Sequence, residues 1–202
     1  MKKVLLLLAI MPTLLFAQKR EVVERFDEYT ANGDYTIDGN NIVVSRVIDN
    51  IPGTKEDIYI KVKSFFTRIY KDANSVLQTD DKNAGVIIGK GYFKDLYVFK
   101  KNMIVVCTFS TYHVLRVDIK DGRVRVICNA SDWDYVWDKG GSHYKLEERP
   151  ILAYAPFTDK RFIDKGNQME GTIALIDVMH NTIDALEKSM KSGGLAVETD
   201  EW

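Results

Sequence analysis

Two cysteines, three histidines and four prolines in 202 residues leave little material for the commonest ligand-binding and scaffold chemistries. Two cysteines cannot build a disulfide framework. There is no cysteine pair at ligand spacing and no His-Glu-x-x-His to hold zinc. No Gly-x-Ser-x-Gly elbow marks a serine hydrolase. Beyond the first seventeen residues no apolar run approaches the roughly 20 residues that a membrane-spanning helix takes. Neither sign of charge dominates, with 28 basic residues against 29 acidic ones, so the positive field that nucleic acid requires is missing. Internal repeats and low-complexity stretches are missing too.

What is present begins with an address. Residues 1–17, MKKVLLLLAIMPTLLFA, place two lysines before a mostly apolar run from Val4 to Phe16 and close on a small Ala17. That is the layout of a secretory signal peptide, and Pro12 argues against a retained anchor. No cysteine follows the run, so a lipid anchor has no attachment point. The expectation is a periplasmic or secreted chain, soluble and without stable membrane insertion after cleavage, with a net charge of about −3 once the two leader lysines are gone. Its 46% apolar content suits one domain with a sizeable core.

After an N-terminal segment at 18–33, residues 34–50 read as two short strands around Asp38-Gly39-Asn40. A helix near 54–71 follows. Thr54 is a good N-cap, Glu56 and Asp57 suit the first turn, and Ile58, Val62, Phe65 and Ile69 recur at helical spacing. Strands then alternate with turns as far as residue 130. Lys120-Asp121-Gly122-Arg123 is a two-residue hairpin turn, which makes Asp121 and Gly122 structural residues. Its register sets Ile119 against Val124, Val117 against Val126 and Leu115 against Cys128, with Asp118 meeting Arg125 on the other face. If the strand runs unbroken from Met103 to Ile119, Cys107 lies about 26 Å from Leu115, at ~3.3 Å per residue. If the chain turns at Phe109 to Tyr112, two strand spacings of about 4.8 Å still separate the cysteines, and both cases argue against a bridge to Cys128. Residues 131–165, broken by Gly140-Gly141, Pro150 and Pro156, read as an irregular aromatic and loop region. Residues 166–192 form a helix with Met169, Ile173, Ile176, Met179, Ile183, Leu186 and Met190 on one stripe, and 193–202 are an acidic tail.

The stretch 80–93, DDKNAGVIIGKGYF, superficially suggests a phosphate loop. The spacing fails: three β-branched residues separate Gly85 from Gly89, and Gly91 stands where a hydroxyl should hold Mg²⁺. With a turn at Asp81 to Ala84, Asp80 pairs with Gly85, Leu77 with Ile88 and Val76 with Gly89. Gly89 and Gly91 then share one face of a strand, where missing side chains leave room for a helix or a bulge. Asp132, Asp134 and Asp138 do not satisfy a calcium loop, because Val136 and Trp137 stand where a ligand and a glycine belong. His113 and His180 read as structural. His143 follows Ser142 in a loop, and neighbours in sequence rarely make a catalytic pair. Neither a metal nor a cofactor is expected. Trp133, Tyr135 and Trp137 alternate and so share a face, either as a core strand or as a stacking platform for a glycan or a protein partner.

The segments Thr54-Lys55-Glu56-Asp57-Ile58-Tyr59, Phe65-Phe66, Asn74 to Gln78 and Ala84-Gly85-Val86-Ile87-Ile88-Gly89-Lys90-Gly91 resemble a bacterial family of exported domains of unknown function (domain of unknown function 4468). Asp118 to Arg125 is similar to that family's next landmark. The likeness covers about residues 42–130, with phenylalanine at 65 and 66 where the family often has tryptophan in the first helix. It implies a TBP-like fold, a curved antiparallel sheet with helices on one face, while residues 131–202 lie outside the likeness. Together with the pattern above, the expectation is an α+β domain with a helix before the strand meander and the long C-terminal helix packed on one face. The likeness implies no catalytic residue and no ligand, and fold alone does not fix function. The expected role is a non-enzymatic envelope module with an unknown protein or glycan partner and no nucleic acid. A hydrolase with a site near His143, or a structural assembly subunit, are the alternatives.

Overall fold

The structure is a computed structural model that describes residues 21–70, 76–139, 142–151 and 165–192. The leader-like residues 1–17 and the acidic residues 193–202 lie outside those described. After a helix over residues 21–32 (α1) come β1 (Thr36–Asp38), β2 (Asn41–Asp49), α2 (Lys55–Ile69), β3 (Leu77–Asp81), β4 (Val86–Lys100), β5 (Val105–Lys120), β6 (Arg123–Ala130), β7 (Asp132–Lys139), β8 (Ser142–Pro150) and α3 (Lys165–Lys191). Among them, no helix is long and apolar enough to cross a membrane.

One antiparallel sheet runs β1-β2-β6-β5-β4-β3, with β7 on β5 and β8 on β7. The Asp-Gly hairpin has the register its sequence dictates. Lys120 opposes Arg123, Leu115 opposes Cys128, and Asp118 opposes and bonds Arg125 at 2.6 Å. Asp121 does a second job: its Oδ1 accepts the Lys55 backbone N–H at 2.8 Å, which ties the start of α2 to this turn. The α2 start is further closed by a capping box, in which Thr54 Oγ1 accepts the Asp57 N–H and Asp57 Oδ2 accepts the Thr54 N–H at 2.9 Å.

Alternation sends Ile87, Phe109, Leu115, Val117, Val124, Val126 and Cys128 to the face covered by α2 and α3. From α2 come Ile58, Tyr59, Val62, Phe65 and Phe66. From α3 comes the full Met169–Met190 stripe, buried at every position. α1 joins through Phe26, packed on Met169 and Ile173, and through an Arg25–Glu170 ion pair.

Two sequence readings need correction. In the β3–β4 hairpin, Asp81 pairs with Val86, Asp80 with Ile87 and Thr79 with Ile88, and a bulge brings Leu77 opposite Gly89. The turn sits one residue later than expected because Gly85 takes φ of +72° and its N–H donates to Asp81 O, while Asp81 Oδ1 holds the Ala84 N–H. The stretch after Ser131 is not irregular throughout: β7 and β8 form a hairpin whose strands flank Gly140-Gly141, residues outside those described. Pro150 ends β8 rather than interrupting it, a position where the lost N–H costs least.

Candidate binding face of the sheet

The three alternating rings of β7 do share one face, and it is the inner one. Trp133 is 1% exposed and stacks on Phe109 with centroids 5.1 Å apart. Tyr135 is also buried and donates its hydroxyl to Cys107 Sγ at 3.0 Å. Trp137 is half-buried against the same core. The surface-platform expectation for this cluster is therefore corrected: β5 supplies Phe109 and Cys107 beneath it, and the rings complete the core.

Gly89 and Gly91 of the 80–93 stretch sit under the end of α2. A Cβ on Gly89 would come within 2.6 Å of Phe66 Cε1, and one on Gly91 would strike Tyr70 and His113. His113 is buried between Tyr70, whose hydroxyl is 2.7 Å from Nε2, and Phe93, stacked at 3.7 Å. Burial lowers its pKa from 6.5 to about 4. His180 lies where α3 crosses β2, with Nε2 donating to Asp34 O at 2.8 Å and Nδ1 facing Arg46 at 3.4 Å. Arg46 also pairs with Asp184 and Glu187. His143 stands opposite Asp138 on β8, and its side chain lies outside the described residues. Among the described residues no group of three or more metal-ligating side chains gathers.

The opposite face of the sheet carries no described helix. Alternation places Lys90 and Tyr92 of β4, Tyr112, Val114 and Arg116 of β5, and Arg125 and Asn129 of β6 there. Asp118 also points this way. Partial burial would raise its pKa, but Arg125 and Arg116 outweigh that and hold the carboxyl below its ordinary range. Tyr92 and Tyr112 are cross-strand partners with ring centroids 4.7 Å apart, and Lys90 Nζ lies 4.6 Å from the Tyr112 centroid.

Beside this pair β5 exchanges neighbours. Val114 pairs with Asn129 of β6, and Ser110 with Asp134 of β7. Between them a cleft of about 270 Å³ opens, lined by Lys90, Tyr112, Asn129, Ser131, Asp132 and Asp134. Its polar groups are held in place. Tyr92 donates to Asp134 Oδ2 at 3.0 Å, Ser131 donates to Asp132 Oδ2 at 2.5 Å, and Thr111 donates to Asp132 O at 2.6 Å. Of these residues the sequence reading singled out only the two aspartates, and those for calcium. The overlooked signal was tyrosine at outward positions of two long strands, where a half-buried sheet ordinarily carries small or charged residues.

Residues 46–130 match the model of a family described as a domain of unknown function (DUF4468) with TBP-like fold. This is the family that the sequence resembles. The DUF4468 segment takes in α2, the β3–β6 strands, and the Lys90, Tyr92 and Tyr112 side of the cleft; Ser131, Asp132 and Asp134 follow it. Two solved structures are similar. One is a DUF4468 family protein from Bacteroides ovatus ATCC 8483, 14% identical, with 79% of this chain and 94% of that chain covered and a TM-score of 0.49. The other is a TBP-like protein from Parabacteroides distasonis ATCC 8503, also 14% identical, with 76% and 97% covered and a TM-score of 0.48. No curated protein matches the chain.

Proposed function

We propose that the chain is an exported, non-enzymatic binding module of the bacterial envelope, and that it takes a protein or glycan partner on the open face of its sheet. The observation that carries this reading is the Tyr92–Tyr112 pair, two aromatic rings exposed side by side on the face without a described helix. Aromatic rings fixed on a rigid sheet bring contact area to a partner at little entropic cost. The leader-like residues 1–17 support the compartment.

The test is co-sedimentation of the purified full chain with envelope fractions of a Bacteroides-type bacterium. Wild type should sediment with the fractions, and Tyr92→Ser/Tyr112→Ser should remain in the supernatant with unchanged circular dichroism. Equal sedimentation of both, or of neither, overturns the reading.

A further inference from the structure

We infer that the cleft where β5 exchanges β6 for β7 is a carbohydrate subsite for a neutral hexose unit, with Tyr112 as its floor and Asn129, Asp132 and Lys90 as its hydrogen-bonding rim. The inference rests on the binding-module reading and names the partner class.

A pyranose ring presents an apolar C–H face and a girdle of hydroxyls, each both donor and acceptor. A site for it needs one aromatic surface and, around it, groups that offer donors and acceptors together. The cleft has this composition. Tyr112 is 52% exposed. The Lys90 ammonium that lies over its ring belongs to an exposed, flexible side chain, which a stacked sugar displaces from the ring to the rim. The Asn129 amide both donates and accepts. Asp132 accepts only, and Lys90 donates only. The volume of about 270 Å³ lies at the small end of ligand pockets, a fit for one sugar unit of a chain that continues across the sheet.

Charge narrows the class. Two carboxylates stand against one ammonium in the lining, so uronates, sulfated sugars and phosphorylated polymers meet net repulsion. A protein partner is the poorer fit. Docking of a folded protein buries about 800 Å² a side around clustered apolar anchors, whereas Val47 and Val98, the exposed valines of this face, stand on strands at opposite flanks of β5 and β6. The site is also preorganised. Tyr92 is bonded to Asp134 and lies against Tyr112, and the Asp132 carboxylate is held by Ser131, so little freedom remains to be lost on binding.

The experiment titrates the full chain with maltohexaose, cellohexaose and chitohexaose, and with polygalacturonate as the acidic comparator, following backbone amide shifts by NMR. At least one neutral hexasaccharide should bind with Kd below about 1 mM. The shifts should centre on residues 90–92, 112–114 and 129–134. Tyr112→Ala and Asp132→Ala, both folded by circular dichroism, should each weaken binding by about tenfold. Failure of all three sugars, stronger binding of polygalacturonate, or undiminished binding by Tyr112→Ala overturns the inference. The two readings fail separately. If no sugar binds while envelope sedimentation still depends on Tyr92 and Tyr112, the glycan falls and the binding module stands. If wild type does not sediment at all, the module falls with it.

Discussion

The Tyr70 hydroxyl lies 2.7 Å from His113 Nε2, and the two groups are packed where Gly91 omits a side chain. His113 Nδ1 has no hydrogen-bond partner among the described residues, and the ring is 2% exposed. Burial pushes the Tyr70 hydroxyl up and the imidazole down, so both are neutral near pH 7. A neutral imidazole can share one proton with the phenol. An imidazolium there would bury an unpaired charge.

Stability should therefore fall on mild acidification. The imidazole titrates at 6.5 unfolded and about 4 folded, so between those values the unfolded chain binds the additional proton. The contribution is complete above pH 6.5 and is lost as pH falls through about 4, for a total on the order of 3 kcal/mol. Asp80 and Asp118 have lowered pKa values and so add their losses only at lower pH. Urea midpoints measured from pH 7 to pH 4.5 should drop for wild type and stay nearly level for His113→Phe. Parallel slopes would exclude His113 as the source.

Gly89→Ala should destabilise the fold. The added methyl would meet the fully buried Phe66 ring, and overpacking of this kind costs about 1–3 kcal/mol. Phe66→Leu on its own also destabilises, but combined with Gly89→Ala it should recover part of the loss, because the smaller side chain vacates the clashing edge. Denaturant midpoints of the two single variants and the double variant give the coupling directly. Strict additivity would show that the methyl is accommodated elsewhere.

The elements with strong local codes were legible. Asp-Gly between alternating strands fixed the β5–β6 register, Thr54 with Asp57 fixed the start of α2, and the apolar stripe at 169–190 fixed the buried face of α3. The β3–β4 register was not, because a bulge at Leu77 and the left-handed Gly85 are choices that tertiary contacts settle. The site was hidden for a different reason. Alternation states that Trp133, Tyr135 and Trp137 lie together but not on which side, and the answer depends on Phe109 and Cys107 some 25 residues away in β5. Tyr92 and Tyr112 become neighbours only once β4 and β5 are paired.

Trp133→Ala should act on stability rather than on any surface property. Removal of a ring stacked on Phe109 in a closed core costs about 3–5 kcal/mol, whereas truncation of an exposed platform residue stays within about 0.5 kcal/mol. Thermal melts separate the two outcomes. A melting temperature within a degree or two of wild type would return Trp133 to the surface.

Cys107 and Cys128 should persist as free thiols even in an oxidising compartment. Each is fully buried and faces a different partner across the sheet: Cys107 opposes Trp137 and accepts the Tyr135 hydroxyl, while Cys128 opposes Leu115, eight residues along β5 from Cys107. Burial also pushes the Cys128 thiol up to about 12, which removes the thiolate that disulfide exchange requires. Native protein at pH 8 should resist an aromatic disulfide reagent, and denatured protein should release two equivalents at once. If the denatured, unreduced protein releases none, the cysteines are bridged, and the β5 register that holds them roughly 26 Å apart along the strand is wrong.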